Sequence, residues 1–201
     1  LEKALSDYTS AIGKDKSLGA AYINRGSLLH KFKRFDVATA DYTKSIELGW
    51  RRADAHYGRG NSLAKQAKYE AALLDFNKSL ELEPNYSQAA ASKAYVVTVM
   101  NDVKTAKAQI SSSSQQPNFY YNTGNVLFEK NRFDLAELYY NEAIRRNPKY
   151  DIAHGNRAAA MIQMGRYSEA FADFSEAIKL APQNSKNYFN RGIARKNIEM
   201  W

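Results

Sequence analysis

Four asparagines stand in one register of the chain, Asn24, Asn122, Asn156 and Asn190, with Gly58 and Ser92 in the two intervening places. A carboxamide offers a donor and an acceptor together, so a row of them can hold a polar backbone with little regard to its sequence. The neighbouring register carries Arg25, Arg59, Arg157 and Arg191, with Lys93 and Thr123 in the other two places. Further along each unit stand Asp41, Asp75, Gln109, Tyr139 and Asp173. Arginine accompanies aspartate in three units, and the two registers change together elsewhere. Paired guanidinium and carboxylate groups are therefore expected at Arg25 and Asp41, Arg59 and Asp75, and Arg157 and Asp173, with the arginine stems lying on apolar neighbours. The alternative is two solvated charges on separate faces. His56 and His154 share a register with Tyr22, Tyr120 and Tyr188, which predicts aromatic packing, and His30 stands alone. Thiolate chemistry is excluded by the absence of cysteine, and neither a phosphate-binding glycine loop nor a nucleophilic serine elbow is present. No catalytic, cofactor or metal site is expected.

These registers imply elements that repeat. Gly26, Gly60 and Ala94 stand 34 residues apart, as do Gly124, Ala158 and Gly192, with one step of 30 between the two sets. The same spacing, with the same short step, carries Ala4, Ala38, Ala72, Ala106, Ala136 and Ala170. It also carries a ring register, Tyr8, Tyr42, Phe76, Tyr140 and Phe174, broken at Ile110, and a small register, Ala11, Ser45, Ser79, Ser113, Ala143 and Ala177. Spacings of four and three, as in Ala38, Tyr42 and Ser45, place a ring bracketed by small residues on one helix face. A preceding segment such as 20–32 has its own face through Tyr22, Gly26 and Leu29, and a turn at 33–36 separates the two. Each unit reads as a helix hairpin, and periods of this length indicate stacked repeats. Pro84, Pro148 and Pro182 stand where hairpins end, since proline cannot continue a helix interior.

The run ADAHYGRGNSLAKQAKYEAALLDFNKSLELEPNY resembles the tetratricopeptide repeat almost position by position, and the likeness extends over the whole chain. It implies an all-α, right-handed superhelical solenoid of antiparallel hairpins with about twelve helices: the second helix of a cut repeat at 1–18, repeats at 19–52, 53–86, 117–150 and 151–184, and the first helix of a cut repeat at 185–201. Leu1 shares the register of Phe35, Tyr69, Phe133, Tyr167 and Trp201, so both ends are expected to cut through a hairpin of a longer protein. The segment 87–116 departs from the pattern: NDVKTAKAQISSSSQQ lacks the ring and the proline, and we expect a shortened repeat with a degenerate second helix and a bent or loosened stack. The resemblance further implies that the asparagine face lines a concave groove that holds an extended peptide or a partner helix. Groove candidates are Asn24, Tyr57, Asn61, Tyr95, Tyr121, Asn122, Asn125, Phe128, Asn156, Lys186, Phe189 and Asn190. Chaperone-binding members hold a terminal carboxylate with five residues. Asn125, Asn156 and Lys186 match that clamp, but Tyr121 stands where it has a lysine and Asn190 where it has an arginine, which makes a poor clamp.

With 44% hydrophobic and 25% charged residues the chain falls in the globular range, and no run is apolar enough to span a bilayer, so a soluble protein is expected; the absence of cysteine mildly favours a reducing compartment, and the cytoplasm is the expected location. The charge of +8 favours an acidic partner through long-range steering. Basic residues recur at the hairpin turns (Arg34, Lys68, Arg132, Arg166) and at the connections (Arg51, Arg52, Arg145, Arg146, Lys149), but no rings are interleaved with them, which disfavours nucleic acid. The expected function is a protein-interaction scaffold, with cut repeat ends that could self-associate. The alternatives are the substrate-recognition arm of a larger enzyme and a spacer in a large assembly.

Overall fold

The computed structural model describes residues 1–50 and 52–199. Among them are eleven α-helices and no strand: α1 (Glu2–Lys14), α2 (Gly19–Lys31), α3 (Phe35–Glu47), α4 (Ala53–Lys65), α5 (Tyr69–Leu82), α6 (Ser87–Ser112), α7 (Pro117–Glu129), α8 (Phe133–Arg146), α9 (Asp151–Gln163), α10 (Tyr167–Leu180) and α11 (Ser185–Glu199). Arg51 at the second connection and Trp201 in the register of Phe35 and Tyr167 lie outside the described residues. The chain divides into two units, Leu1–Asn101 and Asp102–Trp201.

Hairpins α2/α3, α4/α5, α7/α8 and α9/α10 are closed by one turn device. At Lys33, Ala67, Asn131 and Gly165 the backbone is left-handed, with φ of 59°, 59°, 58° and 69°. The next residue returns its N–H to a carbonyl five residues back: Arg34 to Leu29, Lys68 to Leu63, Arg132 to Leu127 and Arg166 to Met161, all within 3.0 Å. This is a Schellman closure, which satisfies carbonyls that the helix end leaves unpaired. It offsets the roughly 1 kcal/mol that a left-handed residue with a Cβ costs.

Inside three of the hairpins a ring of the second helix lies against a glycine of the first, Gly26, Gly60 or Gly124, and in α9/α10 Ala158 takes that place against Phe174. A Cβ at Gly60 would lie 2.8 Å from the Phe76 ring, and one at Gly124 would lie 2.6 Å from the Tyr140 ring, so only a residue without a side chain permits the approach. The alanine register is buried, with Ala38, Ala72, Ala136 and Ala170 fully enclosed. Ser45 and Ser79 add ties by donating to the carbonyls of Gly19 (3.0 Å) and Ala53 (2.9 Å) at the start of the facing helix. The core is consequently a series of separate clusters. One holds Ala72, Phe76 and Val96, another Ala158, Met161, Ala170 and Phe174.

The expected twelve helices become eleven because 87–112 is one continuous helix, not a hairpin with a degenerate second arm. Asn101 occupies the register of Lys33, Ala67, Asn131 and Gly165, yet it is helical. The residues around it explain the difference. Elsewhere the turn is followed by a basic residue and a ring, as in Arg34 and Phe35 or Arg132 and Phe133, and the ring packs back on the first helix: Phe35 lies edge-on to His30 at 4.9 Å and Phe133 to Phe128 at 5.1 Å. Asp102 and Val103 supply neither, so nothing offsets the cost of the left-handed turn and the helix propagates.

Candidate peptide-binding site

Charged side chains of the arginine register point into the hairpins. Arg25 donates through Nε and Nη2 to the two Asp41 oxygens, both at 2.7 Å, Arg59 to Asp75 at 2.8 Å, and Arg157 to Asp173 at 2.6 Å. The three carboxylates are buried while the guanidinium groups keep one edge toward solvent. Each bond joins the first helix of a hairpin to the second, which fixes how the first helix is rolled about its axis and hence which residues leave its opposite face.

His56 and His154 do more than pack. Nδ1 of each lies 3.1 Å from the same aspartate, Asp75 or Asp173, and Nε2 of His154 lies 3.2 Å from the Pro148 carbonyl. The hydrogen bond to Asp173 raises the His154 imidazole above its ordinary value of 6.5, against the opposing effect of burial. Burial pushes the Asp173 carboxyl up, but Arg157 and His154 together overcome it and hold the group below the usual carboxylate range. A raised histidine stabilises the fold fully below its unfolded value and loses that contribution as the pH passes its folded value. The thermal midpoint should therefore decline on going from pH 6 toward pH 8, and His154→Gln should flatten that slope. An unaltered slope in the variant would show that His154 is not the titrating group.

In the second unit, α7, α9 and α11 enclose a cavity of about 440 Å³. Tyr121, Asn125, Phe128, Asn156, Lys186 and Asn190 all line it, so it gathers six of the groove candidates. Two of its amides form a fixed pair: Asn156 Nδ2 donates to Asn125 Oδ1 at 2.9 Å and to the Tyr121 hydroxyl at 3.1 Å. The Tyr140 hydroxyl also donates to Asn125 Oδ1, at 2.8 Å, and burial pushes its phenol well above the ordinary tyrosine range. These bonds occupy Asn125 Oδ1 and the Asn156 amino group. Asn125 Nδ2 and Asn156 Oδ1 remain, a donor and an acceptor, each without a side-chain hydrogen bond among the described residues.

Other candidates fall elsewhere. Asn122 and Phe189 are exposed on the second unit, and neither lines the cavity; the paired amides are Asn125 and Asn156, which belong to different registers. In the first unit Asn24 and Tyr95 are exposed, Asn61 is half-buried, and Tyr57 packs on Phe76 and Tyr86. The gap in the asparagine register at Gly58 has a steric cause, because a Cβ there would lie 2.4 Å from the Tyr42 ring. Sequence reasoning passed over Asn187, a buried residue lining the cavity; its signal was a polar residue in the register of Ala21, Ala55, Ala89, Phe119 and Ala153. The basic turn residues are largely engaged within the chain. Arg132 binds Asp102 and Asp134, Arg166 binds Glu137 and Glu169, and Arg145 and Arg146 share Glu142, whose carboxyl their hydrogen bonds hold down to about 2.

Helix hairpins built on one 34-residue period and closed by one turn device define a helical repeat protein. Family models described as tetratricopeptide repeat match residues 19–48, 53–86 and 121–185, together more than half of the chain, which belongs to that family. Among curated relatives, the Hsp70-Hsp90 organizing protein of Triticum aestivum is 38% identical over 72 residues, which are 36% of this chain and 12% of that protein. DnaJ homolog subfamily C member 7 of Homo sapiens is 27% identical over 104 residues, 52% of this chain and 21% of that protein. The chain thus spans a small part of the length of these relatives. Among solved structures, YrrB, described as a TPR protein with an unusual peptide-binding site, aligns at 23% identity with a TM-score of 0.40, covering 96% of this chain and 85% of that one. The P58(IPK) TPR domain aligns at 21% identity with a TM-score of 0.48, covering 96% and 49%.

Proposed function

We propose that the second unit holds an extended peptide of a partner protein across its amide-lined cavity, and that the chain acts as a non-enzymatic interaction scaffold in the cytoplasm. The observation that carries this reading is the Asn125 and Asn156 pair, which lines the cavity and whose internal bonds leave one donor and one acceptor unused. That is the complement of a peptide group, which presents one acceptor and one donor along its edge. Tyr121 and Phe128 supply apolar wall against which a side chain of the peptide can pack. Acidity of the partner enters through the net charge of +8 rather than through the basic turns, since most of those arginines are paired within the chain. A clamp for a terminal carboxylate fits the cavity poorly, because among the described residues Lys186 is its one lining cation, and Glu129 lines it too.

Selection of phage-displayed random dodecapeptides on the chain tests this. Recovered peptides should compete with one another, and the double variant Asn125→Ala, Asn156→Ala should weaken them at least about tenfold, as the loss of paired buried hydrogen bonds implies, with its circular dichroism retained. Undiminished affinity in the double variant would overturn the groove reading and leave a spacer or an enzyme arm that works through other faces.

A further inference from the structure

In the complete hairpins the first-helix registers that face the second helix are buried, as at Tyr22 and His56, at Gly60 and Gly124, and at Leu29 and Met161. Ala90, Ala94 and Val97 hold those three places on α6, and all are exposed, Val97 by 42%. The other arm shows the matching departure. Ile110 is half-buried where Phe76 and Tyr140 are buried, and Ser113 is half-buried where Ser45 and Ser79 are fully enclosed. Both halves of one hairpin are therefore present, each packed on its own neighbour, Val96 with Phe76 and Ala106 with Tyr120. The faces that would meet are open.

No single partner helix covers both faces of the straight form. Sixteen residues separate Ala94 from Ile110, which turns a helix by about 160° beyond whole turns, so the two side chains leave opposite sides of α6. A bend midway brings them together. The turn register falls at Asn101, a residue type that tolerates the left-handed conformation, and the division of the chain into two units falls immediately after it. We propose that α6 is a hairpin held open, a two-state device that closes by a left-handed turn at Asn101 and lays 102–112 back on 87–100 with Ile110 over Ala94. The proposal is independent of the groove reading. Closure is opposed by the left-handed turn and by the loss of the basic residue and ring at 102 and 103, and it is favoured by burial of Ala90, Ala94, Val97 and Ile110, contributions of the same order. A ligand that prefers either form shifts the balance by as much as its affinities for the two differ.

The test is a spin-label distance in the full chain. Cysteine is absent, so Gln88→Cys with Ser112→Cys gives one label pair, both at exposed positions. The straight helix separates the two residues by about 36 Å; the closed hairpin should bring the labels within about 20 Å, since packed helix axes lie about 8–10 Å apart. Both distances should appear in the otherwise unaltered chain. Asp102→Arg with Val103→Phe restores the basic residue and ring of the other turns and should raise the ratio of short to long at least about tenfold, as burial of a ring implies. Ala94→Glu, harmless on an exposed helix face, puts a carboxylate where Ile110 must pack and should remove the short distance. A single distance in the unaltered chain, long or short, overturns the two-state device, as does a ratio that either variant leaves unmoved. A short distance in a mixture of singly labelled chains would place the closure between copies and overturn it too.

Discussion

Phe76→Ala should lower the free energy of unfolding by about 4 kcal/mol, near the middle of the range for removal of a buried ring. The ring is fully buried and packs with Ala72 and Val96, with Tyr57 tilted against it at 6.3 Å between ring centres. Its cavity cannot close easily, since the wall over the ring is the bare backbone of Gly60, which has no side chain to move into the gap. Where repeats are stabilised by nearest neighbours, the loss should be concentrated locally. Hydrogen exchange should quicken first in α4 and α5, and urea denaturation should report the energy. A loss below about 1 kcal/mol, the size expected from a site that collapses freely, would mean that the ring is not what holds the hairpin shut.

Arg157→Met should cost about 3 kcal/mol, the lower end for breaking a buried ion pair by removing one partner. The Asp173 carboxylate is 7% exposed and takes two bonds from Arg157, so the variant leaves a buried anion with His154 as its remaining partner. The deficit carries a pH signature. Without Arg157, burial should raise the Asp173 carboxyl, so the loss is largest at neutral pH and shrinks as acid protonates the group. Arg191→Met is the control. Arg191 occupies the same register but meets Ser175 Oγ at 3.3 Å and the rings of Phe171 and Tyr188, with no carboxylate partner among the described residues, and its loss should cost well under 1 kcal/mol, as for an exposed cation–ring contact. Equal costs at 157 and 191 would refute the ion-pair account.

How far the sequence reveals these features depends on whether the 34-residue period carries the information. Glycine at 60 and 124 opposite rings at 76 and 140 is periodic, and so is arginine at 25, 59 and 157 opposite aspartate at 41, 75 and 173; such positions can be paired on paper because every copy repeats the same geometry. The continuous α6 is hidden for the opposite reason. Ala106 and Ile110 hold the same helical spacing whether 87–112 is one helix or two, and Asn101 is a residue that tolerates the left-handed turn, so the outcome is decided by the missing basic residue and ring at 102 and 103. The register shared with Tyr22 reveals the packing of His56 and His154 but not the hydrogen bond that a ring nitrogen adds to Asp75 or Asp173. The cavity depends on neighbours from different registers, Asn125 with Asn156 and Gly155 with Asn187, whose contact follows from the angle between successive hairpins rather than from their spacing in the chain.

The ties within each hairpin also govern how fast the chain finds its structure. Arg25 reaches Asp41 across 16 residues and Ser45 reaches Gly19 across 26, and the longest side-chain hydrogen bond described above, from Asn156 to Tyr121, spans 35. Closing loops of this size costs little entropy, and chains dominated by such local contacts fold in microseconds to milliseconds. A hairpin such as α2/α3 holds both partners of its ion pair, its glycine–ring contact and its serine tie within residues 19–47. Its own ties are therefore all available during synthesis as soon as residue 47 has left the ribosome, and the following repeat, once made, buries the face that one hairpin leaves open.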